Sequence, residues 1–294
     1  MTTFVTVTVE DRSPARAEEA IGRAFGEMER VTAVLTRFDA SSALSVLNDT
    51  GHIADPPLEL SAVVDHALRL HHLTGGAFDP TVAPLVDLYQ VHFAAHGGPP
   101  DEAERRDVLE LVGAQCVKVD ERTLRLDRAG MALTLDGIGK GFIVDRMVET
   151  LASHGVQHAL VNAGGDVRAL GTRASGRPWR VGVQHPRQPD AIVEMLDLAD
   201  AAIATSGDYV RFHDVERRYH HTIVPSTGLS PDTIASVSVK APSAMQADAL
   251  ATGVLVLGSE AGMRLLARVE GIVGLILTGA GARFTSTHWS SRRL

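Results

Sequence analysis

From residue 158 onward the chain breaks into short strand-like pieces, at 158–163, 167–171, 179–183, 193–199, 201–204, 209–212, 219–224 and 234–240. Two more follow at 272–277 and 282–287. Strand follows strand with little helix between. Such β–β neighbours predict an α+β fold rather than a doubly wound parallel sheet, in which helices and strands alternate. Helices flank this region. Residues 14–37 read as the first, with Ser13 as cap, Pro14 at the opening position, and Ala20, Ala24, Met28, Val31 and Leu35 as the apolar stripe. Others are expected at 57–73, 139–154, 243–257 and 259–269. Residues 2–10 alternate like a strand, and 116–127 with 130–135 read as paired strands. Residues 74–80 form a glycine-rich loop, and the Gly-Gly-Pro-Pro within 96–107 marks an exposed turn into a capped helix.

A chain of 294 residues can bury a large core, as one domain or as two intimately joined subdomains. Its net charge of −8, with no long basic run, argues against a polyanion-binding surface, so nucleic acid is not an expected partner. Cys116 is the only cysteine, which rules out an intrachain disulfide or a thiolate zinc cluster within the chain, and its strand-like setting reads as a small buried hydrophobe. The histidines lack H-E-x-x-H spacing, and His71-His72 and His220-His221 are adjacent pairs whose side chains would diverge on a strand. No apolar run reaches the ~18–20 residues of a membrane helix, so no transmembrane segment is expected. The N-terminal MTTFVTVTVE has no charged region followed by an apolar one. A cytoplasmic protein is expected if Met1 is the native start, and a periplasmic or membrane-anchored one if an export signal has been trimmed.

Two segments carry candidate chemistry. In AMQADALAT (244–252), Asp248 and Thr252 are one helical turn apart and share a face. Two hard oxygens on one face suit Mg²⁺, which keeps few protein ligands and takes the rest from water and phosphate. A capped helix surface would use the same pair for structure alone. In LTLDGIGKGF (133–142), a glycine-rich turn opens a helix, where backbone amides can approach phosphate oxygens. It is not a P-loop, since Gly141 follows Lys140, nor a dinucleotide fingerprint, since Val144 stands at the third glycine position. Together the segments suggest a metal-assisted site for a diphosphate.

Six stretches in order carry a wider resemblance: GGAFDPTVAPLVDLY (75–89), GIGKGFIVDRMVETL (137–151), ALVNAGGDVRALG (159–171), IATSGDYVRF (203–212), HHTIVPSTGLSP (220–231) and ADALATGVLVLG (247–258). With LTRFDASSALSVLN (35–48), they resemble the ApbE family, the FAD:protein FMN transferases, over nearly the whole chain. The resemblance implies an α+β fold built around antiparallel sheets, FAD as substrate, Mg²⁺, and a Thr or Ser of an acceptor flavoprotein subunit as the group modified. It assigns the metal to Asp248, Thr252 and a main-chain oxygen at Gly137. It assigns the general base to His221, within H-x-I-x-P-x-T-G, for which imidazole is suited near neutral pH. Ala77, Phe78, Asp79, Thr134, Asp136, Lys140, Ser206, Gly207, Asp208 and Ile223 are expected at the FAD, with Phe38 stacking on one of its rings. Each has a plainer reading: Asp79 as a turn cap, Lys140 as a surface cation, Phe38 as core, His221 as a turn histidine. Asn162, Gly164, Gly165 and Asp166 read as a turn near the ligand, with Asp166 tying down a loop.

Two positions depart from the pattern. Thr134 and Val224 stand where many relatives have Asp, which removes one carboxylate near the FAD and another near His221. The same site could hydrolyse FAD to FMN and AMP, or hold FAD without turnover.

Overall fold

The computed structural model describes residues 3–209 and 212–290, and the backbone of 292–293. The N-terminal half is mostly helical: β1 (Val5–Val9), α1 (Pro14–Leu35), α2 (Ala43–Thr50), β2 (His52–Ala54), α3 (Leu58–Leu73), α4 (Ala83–His96), α5 (Glu102–Leu109), β3 (Val117–Val119), β4 (Thr123–Leu126) and α6 (Gly139–Ser153). The second half carries β5 (Ala159–Ala163), β6 (Asp166–Leu170), β7 (Trp179–His185), β8 (Gln188–Leu198), β9 (Ala202–Gly207) and β10 (Ile234–Ala241). It closes with α7 (Ala244–Leu257), α8 (Ser259–Leu266), β11 (Val273–Thr278), β12 (Arg283–Thr285) and β13 (Arg292–Arg293).

The main sheet has seven strands among the described residues, ordered β1-β5-β6-β9-β10-β11-β12. Every neighbouring pair in it runs antiparallel. Two three-stranded antiparallel sheets, β13-β8-β7 and β2-β4-β3, stand beside it. This is the expected α+β architecture. The core lies where α6 and α7 cross the main sheet. Ile143, Val144, Met147, Val148 and Leu151 of α6 are buried there. On α7, Ala247, Ala249, Leu250, Ala251, Val254 and Leu255 are all buried. A helix apolar around its whole circumference belongs in an interior, and the alanines of α7 let its neighbours come close.

The first helix forms as read. Ser13 accepts the amide of Arg16, Pro14 opens the helix, and Ala20, Ala24, Val31 and Leu35 are buried. Elsewhere the boundaries need correction. Residues 130–135 do not form a strand: Leu133 exchanges two hydrogen bonds with the Asn48 side chain (2.7 and 2.9 Å), and Thr134 donates to the Pro80 carbonyl (2.8 Å). Side chain and loop thus satisfy a backbone that looks like strand. The pair read across 116–135 closes within it, as β3 with β4. The strands read at 209–212 and 219–224 reduce to a single bridge between Phe212 and His220; Val210 and Arg211 lie outside the described residues. His71 and His72 end helix α3 rather than occupying a strand. Helices α2 and α4 were not read from sequence. Leu85, Val86, Leu88, Tyr89, Val91 and Phe93 lie around α4 without a single stripe, and only Leu85 and Tyr89 among them are fully buried.

Candidate active site

Helices α6 and α7 place the two chemical segments together, and a glycine makes this possible. A side-chain carbon at Gly141 would fall 2.3 Å from the Ala244 carbonyl oxygen, so nothing larger lets the first turns of the two helices touch. In that contact the Gly141 amide donates to Asp248 Oδ2 at 3.0 Å. One turn further along α7, Thr252 meets the glycine turn: a side-chain carbon at Gly137 would lie 3.1 Å from Thr252 Oγ1. Ser206, near the end of β9, joins Thr252 through their hydroxyls at 3.1 Å. Asp248 and Thr252 thus share the face that looks into the turn.

Behind them lies a second carboxylate. Asp166, at the start of β6, is 0% exposed, and Lys140 Nζ stands 2.5 Å from its Oδ2. Burial, and then the Asp248 carboxylate, push Asp166 well above the usual carboxylate range against the pull of Lys140. Burial also raises Asp248, opposed by Lys140 and the Gly141 amide. Two buried carboxylates against one ammonium leave an unbalanced negative charge when all three are ionised, which a cation would relieve. Among the described residues no three His, Cys, Asp or Glu side chains converge with metal spacing. A donor set of carboxylate, hydroxyl and main-chain oxygen is hard and sparse, and fits Mg²⁺ better than zinc.

A cavity of about 130 Å³ opens over this cluster. Ala77, Phe78, Asp79, Thr134, Asp136, Gly137, Lys140, Ser206, Gly207, His221, Ile223, Asp248 and Thr252 all line it. A second cavity of about 350 Å³ adjoins it, walled by Phe38, Arg37 and the N-terminal turns of α6. The two share Asp136, Lys140, Gly164 and His221. Phe38 is 72% exposed, so its core-packing reading fails; the Arg37 guanidinium lies over its ring at 5.2 Å.

Two expected ligand contacts are committed elsewhere. Asp79 lines the cavity, but its Oδ1 accepts the amide and hydroxyl of Thr81 (2.8 and 2.5 Å), and its Oδ2 accepts the Ala114 amide (3.2 Å) and pairs with His71 (3.2 Å). It holds the 77–82 loop in place instead of offering a free carboxylate. Asp208 lines neither cavity; both its oxygens accept Arg187 at 2.6 Å. Thr134 accepts the Asp136 amide at 3.2 Å, a local turn contact, and Val224 shapes the 224–229 turn through its backbone. His221 faces both cavities, whereas His220 is 1% exposed and directs Nε2 to the Pro231 carbonyl at 2.8 Å. The adjacent side chains differ in burial but do not point apart as on a strand: their rings stay edge to face with centroids 6.2 Å apart.

Sequence reasoning missed Asp145 and underread Asp166. Asp145 sits on α6 and accepts the amides of Ala244 and Met245 at the start of α7 (2.8 and 2.9 Å). An acidic residue within the apolar run FIVDRMV was the available signal for it.

The ApbE family model matches residues 1–276. The chain belongs to the ApbE family. Among curated relatives, the FAD:protein FMN transferase of Vibrio cholerae is 35% identical over 80% of this chain and 72% of its own length. That of Treponema pallidum is 33% identical over 90% of this chain and 79% of its own. The ApbE protein of Thermotoga maritima superposes with a TM-score of 0.85 at 31% identity, covering 97% of this chain and 94% of its own. The flavin transferase ApbE of Vibrio cholerae gives a TM-score of 0.82 at 31% identity, over 98% and 94%. The antiparallel α+β fold is therefore a family property.

Proposed function

We propose that the chain is an enzyme that transfers FMN from FAD to a Thr or Ser hydroxyl of an acceptor flavoprotein, releasing AMP. One observation carries this reading: Asp248, Thr252 and the Gly137 turn open into the same cleft as His221, in a family whose curated relatives are named for this transfer. Asp248, Thr252 and a main-chain oxygen at Gly137 would hold Mg²⁺, which when bound neutralises charge on the diphosphate.

The chain's own groups do the rest. Lys140, gripped by Asp166, adds a fixed positive charge where the two cavities meet. Ala77, Phe78 and Ile223 give an apolar wall, and the open ring of Phe38 offers a stacking surface for one end of the dinucleotide. His221 takes the proton from the acceptor hydroxyl. That oxygen forms a bond to the FMN phosphorus, the bond from phosphorus to the bridging oxygen breaks, and AMP leaves with the electron pair. Protein chemistry of this kind relies on alignment and charge more than on a covalent intermediate.

Purified chain with FAD and Mg²⁺ should release AMP in step with a mass gain of one FMN on a co-incubated flavoprotein subunit. AMP release at the same rate without the subunit would instead support hydrolysis of FAD. No release in either case would leave a flavin-binding protein.

A further inference from the structure

Each of the two central helices carries a carboxylate that receives backbone amides from the first turn of the other. Asp248 of α7 accepts the Gly141 amide of α6 at 3.0 Å. Asp145 of α6 accepts the Ala244 and Met245 amides of α7 at 2.8 and 2.9 Å. The exchange is reciprocal, and it occurs where Gly141 lets the backbones touch. Asp145 is buried and also accepts Arg168 of β6 at 2.7 Å, which ties the latch to the sheet next to Asp166.

We propose that Asp145 is the positioning residue for the cation site: it fixes the axial register of α7, and so the distance of Asp248 and Thr252 from the Gly137 turn. The inference rests on the Mg²⁺ assignment above. The α7 cap is otherwise modest, since Ser243 accepts the Gln246 amide at 3.2 Å and leaves the amides of 244 and 245 to Asp145. Both carboxylate oxygens are engaged, so loss of one acceptor frees an amide that no other group receives, and the first turn of α7 can shift or fray. Asp145 touches neither cavity, so it acts through Asp248 and not on substrate.

The test is a calorimetric titration of Mg²⁺ into the chain at fixed, saturating FAD, with melting temperature measured in parallel. Asp145→Asn keeps the shape of the side chain but replaces one acceptor with a donor. It should raise the Mg²⁺ concentration for half-saturation by about 10–100-fold, the usual effect of losing a group that orients a metal ligand. Val148→Ala, a buried truncation on the same helix, should lower the melting temperature while leaving half-saturation within about twofold. If Asp145→Asn does not fold, Asp145→Glu retains both oxygens one methylene out of place, and a several-fold rise is expected. Equal half-saturation in the wild type and the Asp145 variants would overturn the inference alone. A wild-type chain that takes up no Mg²⁺ overturns the metal assignment and the inference with it.

Discussion

At the scale of single residues, environment separates groups that look equivalent in sequence. Asp248 and Asp79 both face the cleft, yet Asp79 is spent on Thr81, Ala114 and His71, whereas Asp248 has one amide partner. Asp248→Asn keeps an acceptor for Gly141 and should fold, while AMP release should lose its dependence on Mg²⁺ and fall by several kcal/mol of barrier, the scale of such charge stabilisation. Near-wild-type release at the same Mg²⁺ would remove Asp248 from the metal site. For His221→Ala, transfer should drop by about 10²–10⁴ while calorimetric FAD affinity stays unchanged, since proton abstraction belongs to the transition state. Parallel loss of both would make His221 a binding residue. His220→Ala should instead destabilise the fold, because that ring is buried and anchors the 220–231 loop. Burial holds the His220 pKa below its ordinary 6.5. The folded state therefore binds fewer protons than the unfolded one, so this contribution to stability is complete above pH 6.5 and is lost as pH falls toward the folded value. Melting temperature should slope downward with acid over that window, and His220→Gln should flatten the slope.

At the scale of elements, the site depends on two helix starts in contact. Gly141→Ala would drive its methyl into the Ala244 carbonyl. Backbone must move, so a cost at or above the ~1–3 kcal/mol of ordinary overpacking is expected, together with weaker Mg²⁺ uptake. Unchanged denaturant midpoint and Mg²⁺ response would show that the approach is slack. Helices with clear local signals were legible. Helix α1 has its cap, proline and stripe; α7 has Ser243 and a mostly apolar run broken only by Gln246, Asp248 and Thr252. Helix α4 was not, because its apolar residues cover most of its circumference and only packing selects the buried ones. The 130–135 segment misled for the opposite reason: its pattern suits a strand, and a side-chain amide from Asn48 takes the ladder's place.

At the scale of the molecule, the β7–β8 hairpin packs on the main sheet through Trp179, Val183, Leu196 and Leu198 against Val167, Ile203 and Leu275, and a buried carboxylate adds a polar tie to this seam. Glu194 accepts Arg283 Nε at 2.6 Å and Trp289 Nε1 at 2.7 Å. Glu194→Ala leaves both donors without that acceptor and should cost about 3 kcal/mol, near the lower end for a broken buried pair because Arg283 is partly exposed. The loss should appear in denaturant melts, with FAD affinity of the folded fraction unchanged; an equal fall in FAD affinity would couple this hairpin to the cleft. No helix among the described residues is long and apolar enough to cross a membrane.

Local order in the chain determined the α+β class, the capped helices, and the facing of Asp248 and Thr252, because periodicity and capping act within a few residues. The ordered motifs carried the family. What only the tertiary structure decided is who meets whom: that Gly141 admits Ala244, that Asp145 and Asp248 trade amides between helices, that Asp166 is sealed beside Lys140, and that Asp79 and Asp208 are consumed by protein partners. A carboxylate's role depends on burial and on the donors within about 3 Å of it. Apart from the Thr81 amide and hydroxyl at Asp79, those donors come from segments tens of residues away or are brought there by the fold, at distances along the chain that no local pattern records.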